Sequence, residues 1–185
     1  MQILGAILAG LFVLCAVAYA WWQLVEYRLT VIERKQVYTS GAMPPERLKK
    51  VVKRLGIKTV VDLRCPVEGV EKIAAEKAAL DEVGAYHLNL ESEQAPQDEC
   101  RDRFVEWLED PAHRPALIHC KHGEGRAVLY GALWKIEFMG MDPETARKKC
   151  RMLTTKGSSF DVDKVKGIYL RDYQPIRSHE KSTPA

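Results

Sequence analysis

Three observations predict an α/β fold class for this 185-residue chain: a mainly parallel central sheet flanked by helices, preceded by an N-terminal transmembrane helix. Short β-branched runs alternate with helix-period segments over residues 36–174, the pattern of strands joined by helical crossovers. The apolar run Pro115-Ala116-Leu117-Ile118 leads into His119-Cys120-Lys121-His122-Gly123-Glu124-Gly125-Arg126 and then another helix-like segment. Strand, tight loop and helix N-terminus in that order aim consecutive backbone N–H groups into one concavity. Finally, nothing from Met1 to Val25 is charged, and Ile3 to Trp22 is almost continuously apolar. That is close to the about 20 residues needed to span a bilayer's hydrocarbon core.

Residues 1–35 are expected to form the anchor and a juxtamembrane stretch, with membrane contact through residues 3–25. Trp21, Trp22 and Tyr27 sit where an interfacial aromatic belt would lie. A cleaved signal peptide ending near Ala18-Tyr19-Ala20 is the competing reading, but the segment has no basic n-region and its apolar run is long. Basic residues follow the span (Arg28, Arg34, Lys35), which favours a single-pass protein with its domain on the cytoplasmic side. Residues 23–35 could continue the anchor helix.

In the domain, expected over residues 36–174, Gln36 to Gly41 reads as a strand. Pro44 and Pro45 open a helix carrying Leu48, Val51, Val52 and Leu55 on one face, closed by Gly56. Thr59-Val60-Val61-Asp62-Leu63 is β-branched and apolar, a buried strand. A helix over 70–83, a strand over 85–90, a polar loop over 91–97 and a helix over 98–108 follow. After the strand at 116–119 come helices over 127–139, over 143–153 with Asp142 as N-cap, and over 162–169. Residues 175–185 read as a flexible tail.

A net charge of +3 is mild and argues against a nucleic-acid partner. The five cysteines lack compact spacing, which fits reduced thiols and not a disulfide framework. Cys120 opens the loop at a helix N-terminus, where dipole and N–H donors favour a thiolate nucleophile. Lys121, His122, Gly123, Glu124 and Gly125 supply the cradle for a tetrahedral oxyanion, and the planar fork of Arg126 suits two phosphate oxygens. A zinc site from His119, Cys120 and His122 is disfavoured because the histidines flank the cysteine too closely. Arg64 reads as a structural ion-pair partner, and His87, His113 and His179 as surface or strand-end residues without partners.

The segment His119 to Arg126 resembles the signature loop of cysteine-dependent protein tyrosine phosphatases, closest to the dual-specificity branch. The resemblance spans Gln36 to Asp172. Val37 to Gly41 and Leu55 to Arg64 are similar to the opening of small bacterial and plant–fungal atypical members. It implies in-line attack by Cys120 on phosphorus, a phosphocysteine stabilised by Arg126 and the loop, then hydrolysis, with no metal or cofactor. His119 would support the loop by hydrogen bonds. The implied substrate is a phosphotyrosyl protein, with phosphoserine or phosphothreonine also accepted.

Two positions depart from the family pattern. Ala127 stands where a Ser or Thr hydroxyl helps the thiolate leave, which implies slow hydrolysis of the phosphoenzyme. The loop expected to carry an aspartate general acid reads Glu91-Ser92-Glu93-Gln94-Ala95-Pro96-Gln97-Asp98, with Ser92 at the acid's position. Glu93 and then Glu91 are the candidate acids, while Asp98 reads as a helix-start residue. Two alternatives stand beside the protein phosphatase: a phosphoinositide or inositol-phosphate phosphatase, and a catalytically weak phosphate-binding pseudophosphatase. Cys65, after a strand expected to run parallel to that of Cys120, is a candidate redox partner for it.

Overall fold

The uncharged, proline-free N-terminus forms helix α1 (Gln2–Leu24) in a computed structural model that describes residues 2–177. Within it, Ile7–Leu24 has a mean hydropathy of 1.9 and no buried residue, so α1 is long and apolar enough to cross a membrane. At 1.5 Å per residue the helix is about 34 Å long, against about 30 Å of hydrocarbon.

The helix does not continue to residue 35. Tyr27 (φ 51°) and Arg28 (φ 57°) both adopt left-handed backbone, which halts it. Two bonds lock the reversal: Arg28 N–H donates to Trp22 O at 2.9 Å and the Trp22 indole N–H to Leu29 O at 3.1 Å. The chain then enters an edge strand that the juxtamembrane reading misses, β1 (Thr30–Glu33). Its β-branched Thr30, Val31 and Ile32 suit a pleated, half-exposed edge.

The sheet has the order β1-β2-β5-β3-β4, with β2 (Val37–Gly41), β3 (Thr59–Asp62), β4 (Tyr86–Asn89) and β5 (Ala116–Cys120). The β1–β2 pair is antiparallel and the other pairs are parallel. Strands β2, β3 and β5 are buried along their whole length, because helices cover both faces. On one face Leu48, Val51 and Val52 of α2 (Pro45–Leu55) and Leu80 of α3 (Val70–Asp81) pack on Tyr38, Val60 and Leu117. The other face packs Val37, Val61 and Ile118 under α4 (Asp98–Glu109), α5 (Arg126–Met139), α6 (Pro143–Lys148) and α7 (Val165–Arg171). At about 25 cal/mol per Å², each of these fully buried aliphatic side chains contributes roughly 1.5–3 kcal/mol.

Helix α6 starts on the expected Asp142 cap, whose carboxylate accepts from Thr145 N at 2.9 Å, but ends at Lys148 and not at Leu153. Arg147 redirects the chain: it holds Glu144, Thr155 Oγ1 (3.1 Å) and Phe160 O (2.8 Å), fastening an irregular segment below the helix. The start of the expected tail is held too. Buried Glu137 accepts from Tyr173 Oη (2.5 Å), Ile176 N (3.0 Å) and Arg177 N (3.0 Å). His179 and the rest of the tail lie outside the described residues.

Candidate active site

Cys120 ends the central strand β5, and Arg126 opens α5 five residues of loop later. The loop doubles back tightly because Gly123, at φ 74°, lies against the end of β2. A Cβ there would fall 2.5 Å from Gly41 N and 2.7 Å from Ser40 C, so only glycine fits. This close approach turns the Gly123 N–H onto Cys120 Sγ at 3.3 Å, the geometry that stabilises a sulfur anion. Cys120 is only 3% exposed and opens onto a mouth also lined by Gln94, Gly125, Arg126, Arg151 and Ser159.

Arg126 is held from three sides. Glu68, in the short 3-10 turn after β3, grips it in a bidentate pair with both bonds at 2.7 Å. Leu63 O (2.7 Å) and Ser92 O (3.1 Å) accept from Nη1. The Arg126 bonds keep the Glu68 carboxyl below the usual carboxylate range. Among the described residues Nε and the second Nη2 hydrogen have no protein acceptor, which leaves donors for a phosphate. No sequence signal marks Glu68, because its pairing with Arg126 depends on how β3 and β5 lie side by side.

The loop is also tied to the end of α1. Arg28 Nη1 donates to His122 O at 2.6 Å and Nη2 pairs with Glu124 at 2.8 Å. Tyr27 O accepts from Gly41 N at 2.7 Å. His122 and Glu124 line the mouth with Cys120. The Lys121 side chain lies on another side, in a depression shared with Tyr27, Arg64 and Glu68.

His119 differs from its expected role. Its Nε2 meets Glu76 Oε1 at 2.7 Å, and among the described residues its buried Nδ1 has no partner, so its ring is bonded to Glu76 and not to the loop. It belongs to a buried ionic cluster behind the site. Arg64 pairs with Asp62 and with Glu76, each at 2.7 Å, as its structural reading expects. His87 is not partnerless: it meets Asp62 at 3.4 Å and Glu76 at 3.6 Å. Burial alone would push His87 down, but those carboxylates outweigh it and raise it to about 9. His113 likewise has a partner, with Nδ1 2.7 Å from Trp107 O and its ring stacked on the indole. Asp62, Glu76 and His119 offer ligand atoms within 4.8 Å of one another, yet Arg64 and His87 already supply the cations that face both carboxylates.

Ser92 is fully buried and its carbonyl faces Arg126. Glu91 and Glu93 are exposed, and neither lines the mouth over Cys120. Glu93 borders the depression on the other side of Arg126, beside Cys65 and Glu68. The residue of this loop that reaches the mouth is Gln94, which accepts a hydrogen bond from Lys166. Ala127 is fully buried under the loop and offers no hydroxyl.

Cys65 follows β3, which pairs in parallel with β5, so the two cysteines do lie at one end of the sheet. The Cys65 thiol donates to Glu91 O at 3.3 Å, and burial pushes it up. Both cysteines are free thiols.

The chain is similar to known proteins along most of this architecture. A curated relative, the dual specificity protein phosphatase TpbA of Pseudomonas aeruginosa, is 26% identical over 129 residues, covering 69% of this chain. The chain spans about half of that relative's length, 56%. The crystal structure of P. aeruginosa TpbA superposes with a TM-score of 0.56 at 24% identity, covering 75% of this chain and 81% of the other. The core catalytic domain of the PP-IP phosphatase SIW14 from S. cerevisiae, in complex with citrate, superposes with a TM-score of 0.57 at 15% identity. That match covers 77% of this chain and 84% of the other; at these identities both likenesses speak for the fold. A family model described as a DSP-PTPase phosphatase fused to NAD+ kinase matches residues 15–166, well over half of the sequence, and the chain belongs to that dual-specificity-like, cysteine-dependent phosphatase family.

Proposed function

We propose that the chain is a membrane-anchored, cysteine-dependent phosphatase that hydrolyses phosphotyrosine on protein through a phosphocysteine. The observation that carries this reading is the shared mouth of Cys120 and Arg126. The sulfur already accepts from a loop N–H, and the guanidinium is held rigid by Glu68 with donors to spare. In the first step Cys120 Sγ forms a bond to phosphorus as the ester oxygen leaves with its electron pair. The loop N–H groups and Arg126 bear the charge on the equatorial oxygens. In the second, water attacks phosphorus and the thiolate departs. Glu93, which lines the depression beside Arg126 where Glu91 does not, is the carboxylate of this loop assigned to serve as acid after a loop movement. An aryl leaving group depends on that acid least, because phenolate departs readily, and this favours phosphotyrosine over phosphoserine.

The apolar α1 supports a single-pass anchor, and Arg28, Arg34 and Lys35 after it favour a cytoplasmic domain. Arg28 adds a reason for the anchor to matter, because it links the end of the span directly to the loop. Arg151 at the mouth is the observation that favours the inositol-phosphate alternative, since a second cation suits a second phosphate. Cys65 at the same end of the sheet supports a redox partnership with Cys120.

The test is turnover by the full chain in detergent micelles, beside Cys120→Ser, on p-nitrophenyl phosphate, a phosphotyrosyl peptide and inositol phosphates. Hydrolysis of the first two, abolished by Cys120→Ser, is expected. Phosphate binding without turnover would make the chain a pseudophosphatase, and preference for inositol phosphates would move the substrate class.

A further inference from the structure

Lys166 sits on the first turn of α7 and is 5% exposed, unusual for a lysine. A glycine sets its position: the neighbouring Gly167 lies so close to the chain that a Cβ would fall 1.6 Å from Asp161 O. With the helix seated there, the Lys166 side chain runs alongside the catalytic loop. A Cβ on Gly125 would meet its Cε at 3.2 Å and its Nζ at 3.5 Å. The ammonium donates to the side-chain oxygen of Gln94. Gln94 and Gly125 both line the mouth over Cys120, so Nζ lies directly behind two lining residues of the substrate site.

No carboxylate pairs with Lys166 among the described residues. The charges that act on it are the cations Arg126 and Arg151 and the sulfur of Cys120. Burial, reinforced by Arg126, pushes it below the ordinary lysine value. A buried ammonium is costly without a partner, and a neutral amide offsets only part of that cost. Other buried cations of this domain are matched by acids: Arg64 by Asp62 and Glu76, Arg147 by Glu144. Of these three, Lys166 has only an amide as its acceptor among the described residues, and that amide, on Gln94, is the one that lines the mouth.

We propose that Lys166 is a second phosphate-binding cation of this site, exchanging Gln94 for a phosphoryl oxygen when the phosphomonoester dianion enters. This deepens the phosphatase reading and rests on it. Three flexible methylenes beyond Cβ let Nζ swing from Gln94 to an oxygen in the cradle. The exchange trades a neutral acceptor for an anionic one, and charge-assisted hydrogen bonds are roughly twice as strong. Gln94 therefore acts as a placeholder, and its release frees the 91–97 loop to move as substrate binds.

The experiment measures how much inorganic phosphate protects Cys120 of the full chain from alkylation by iodoacetamide, a readout that needs no turnover. Lys166→Gln keeps a hydrogen-bonding side chain against Gln94 but removes the charge, whereas Lys166→Arg keeps the charge. The half-protecting phosphate concentration should rise at least about tenfold in Lys166→Gln and stay within about threefold in Lys166→Arg. Gln94→Glu, which gives Lys166 a competing carboxylate without altering the core, should also raise it about tenfold and serves if Lys166→Gln does not fold. Unchanged protection in a folded Lys166→Gln, or in Gln94→Glu, would overturn the proposal and leave Lys166 a clamp for the loop. If the unaltered chain shows phosphate protection but hydrolyses nothing, the phosphatase reading fails while the cation assignment stands. If phosphate never protects Cys120, both fail.

Discussion

Gly123→Ala probes the contact on which the loop geometry depends. The added methyl would lie 2.5 Å from Gly41 N and 2.7 Å from Ser40 C, both backbone atoms of β2 in the sheet interior. Neither can yield cheaply, because Gly41 N is bonded to Tyr27 O and Ser40 is buried. Overpacking of this kind costs about 1–3 kcal/mol, and a non-glycine residue at φ 74° adds about 1–2 kcal/mol. The sum, about 2–5 kcal/mol, corresponds to a fall in Tm of roughly 5–15 °C for a domain of this size. If the loop shifts to escape the clash, the Gly123 N–H leaves Cys120 Sγ and kcat/KM on p-nitrophenyl phosphate should drop at least about tenfold. Thermal unfolding and turnover on the same sample measure both escapes. A variant with unaltered Tm and unaltered kcat/KM would refute the packing of this loop on β2.

Three further outcomes follow from the structure. Arg28→Ala should lower kcat/KM about five- to tenfold with little loss of Tm, because a partly exposed ion pair contributes at most about 1 kcal/mol while the loop loses its hold on His122 O; a chain starting at Thr30 should show the same kinetic loss. For His87, raised from 6.5 to about 9, the stabilisation is fully present below pH 6.5 and lost as pH rises through 9, so denaturant midpoints should fall over that window. The lost stability should be on the order of 3 kcal/mol, and His87→Asn should flatten the curve. Ala127→Ser should raise kcat several-fold and shrink any burst of p-nitrophenol, because a hydroxyl there would aid thiolate departure; an unchanged burst and kcat would show that a hydroxyl at this position does not assist that departure.

The elements that build the site were legible in the sequence for local reasons. Thr59 to Leu63 and Pro115 to Cys120 announce buried strands by their continuous apolar character, and the glycines after Cys120 announce a tight loop. The missed features depend on distant residues. Strand β1 is only four residues long, and the turn before it uses Tyr27 and Arg28 in left-handed backbone where glycine would have signalled it. The shortened α6 depends on Arg147 reaching Phe160 O, a contact set by the following segment. The family resemblance makes His119 a support for the loop, but strand alternation turns its side chain to Glu76 on α3. Glu68, Gln94 and Lys166 look like ordinary solvated residues in sequence; only the convergence of the β3 turn, the 91–97 loop and α7 on the end of β5 brings them to the site.

The most direct test of the phosphoryl-transfer account is to mix the full chain with a phosphotyrosyl peptide, quench in acid within milliseconds and map the phosphate by peptide mass spectrometry. Phosphate bonded to the sulfur of Cys120 is expected, accumulating because Ala127 slows its hydrolysis, and absent in Cys120→Ser. Turnover that survives Cys120→Ser, or phosphate found on another residue, would contradict it.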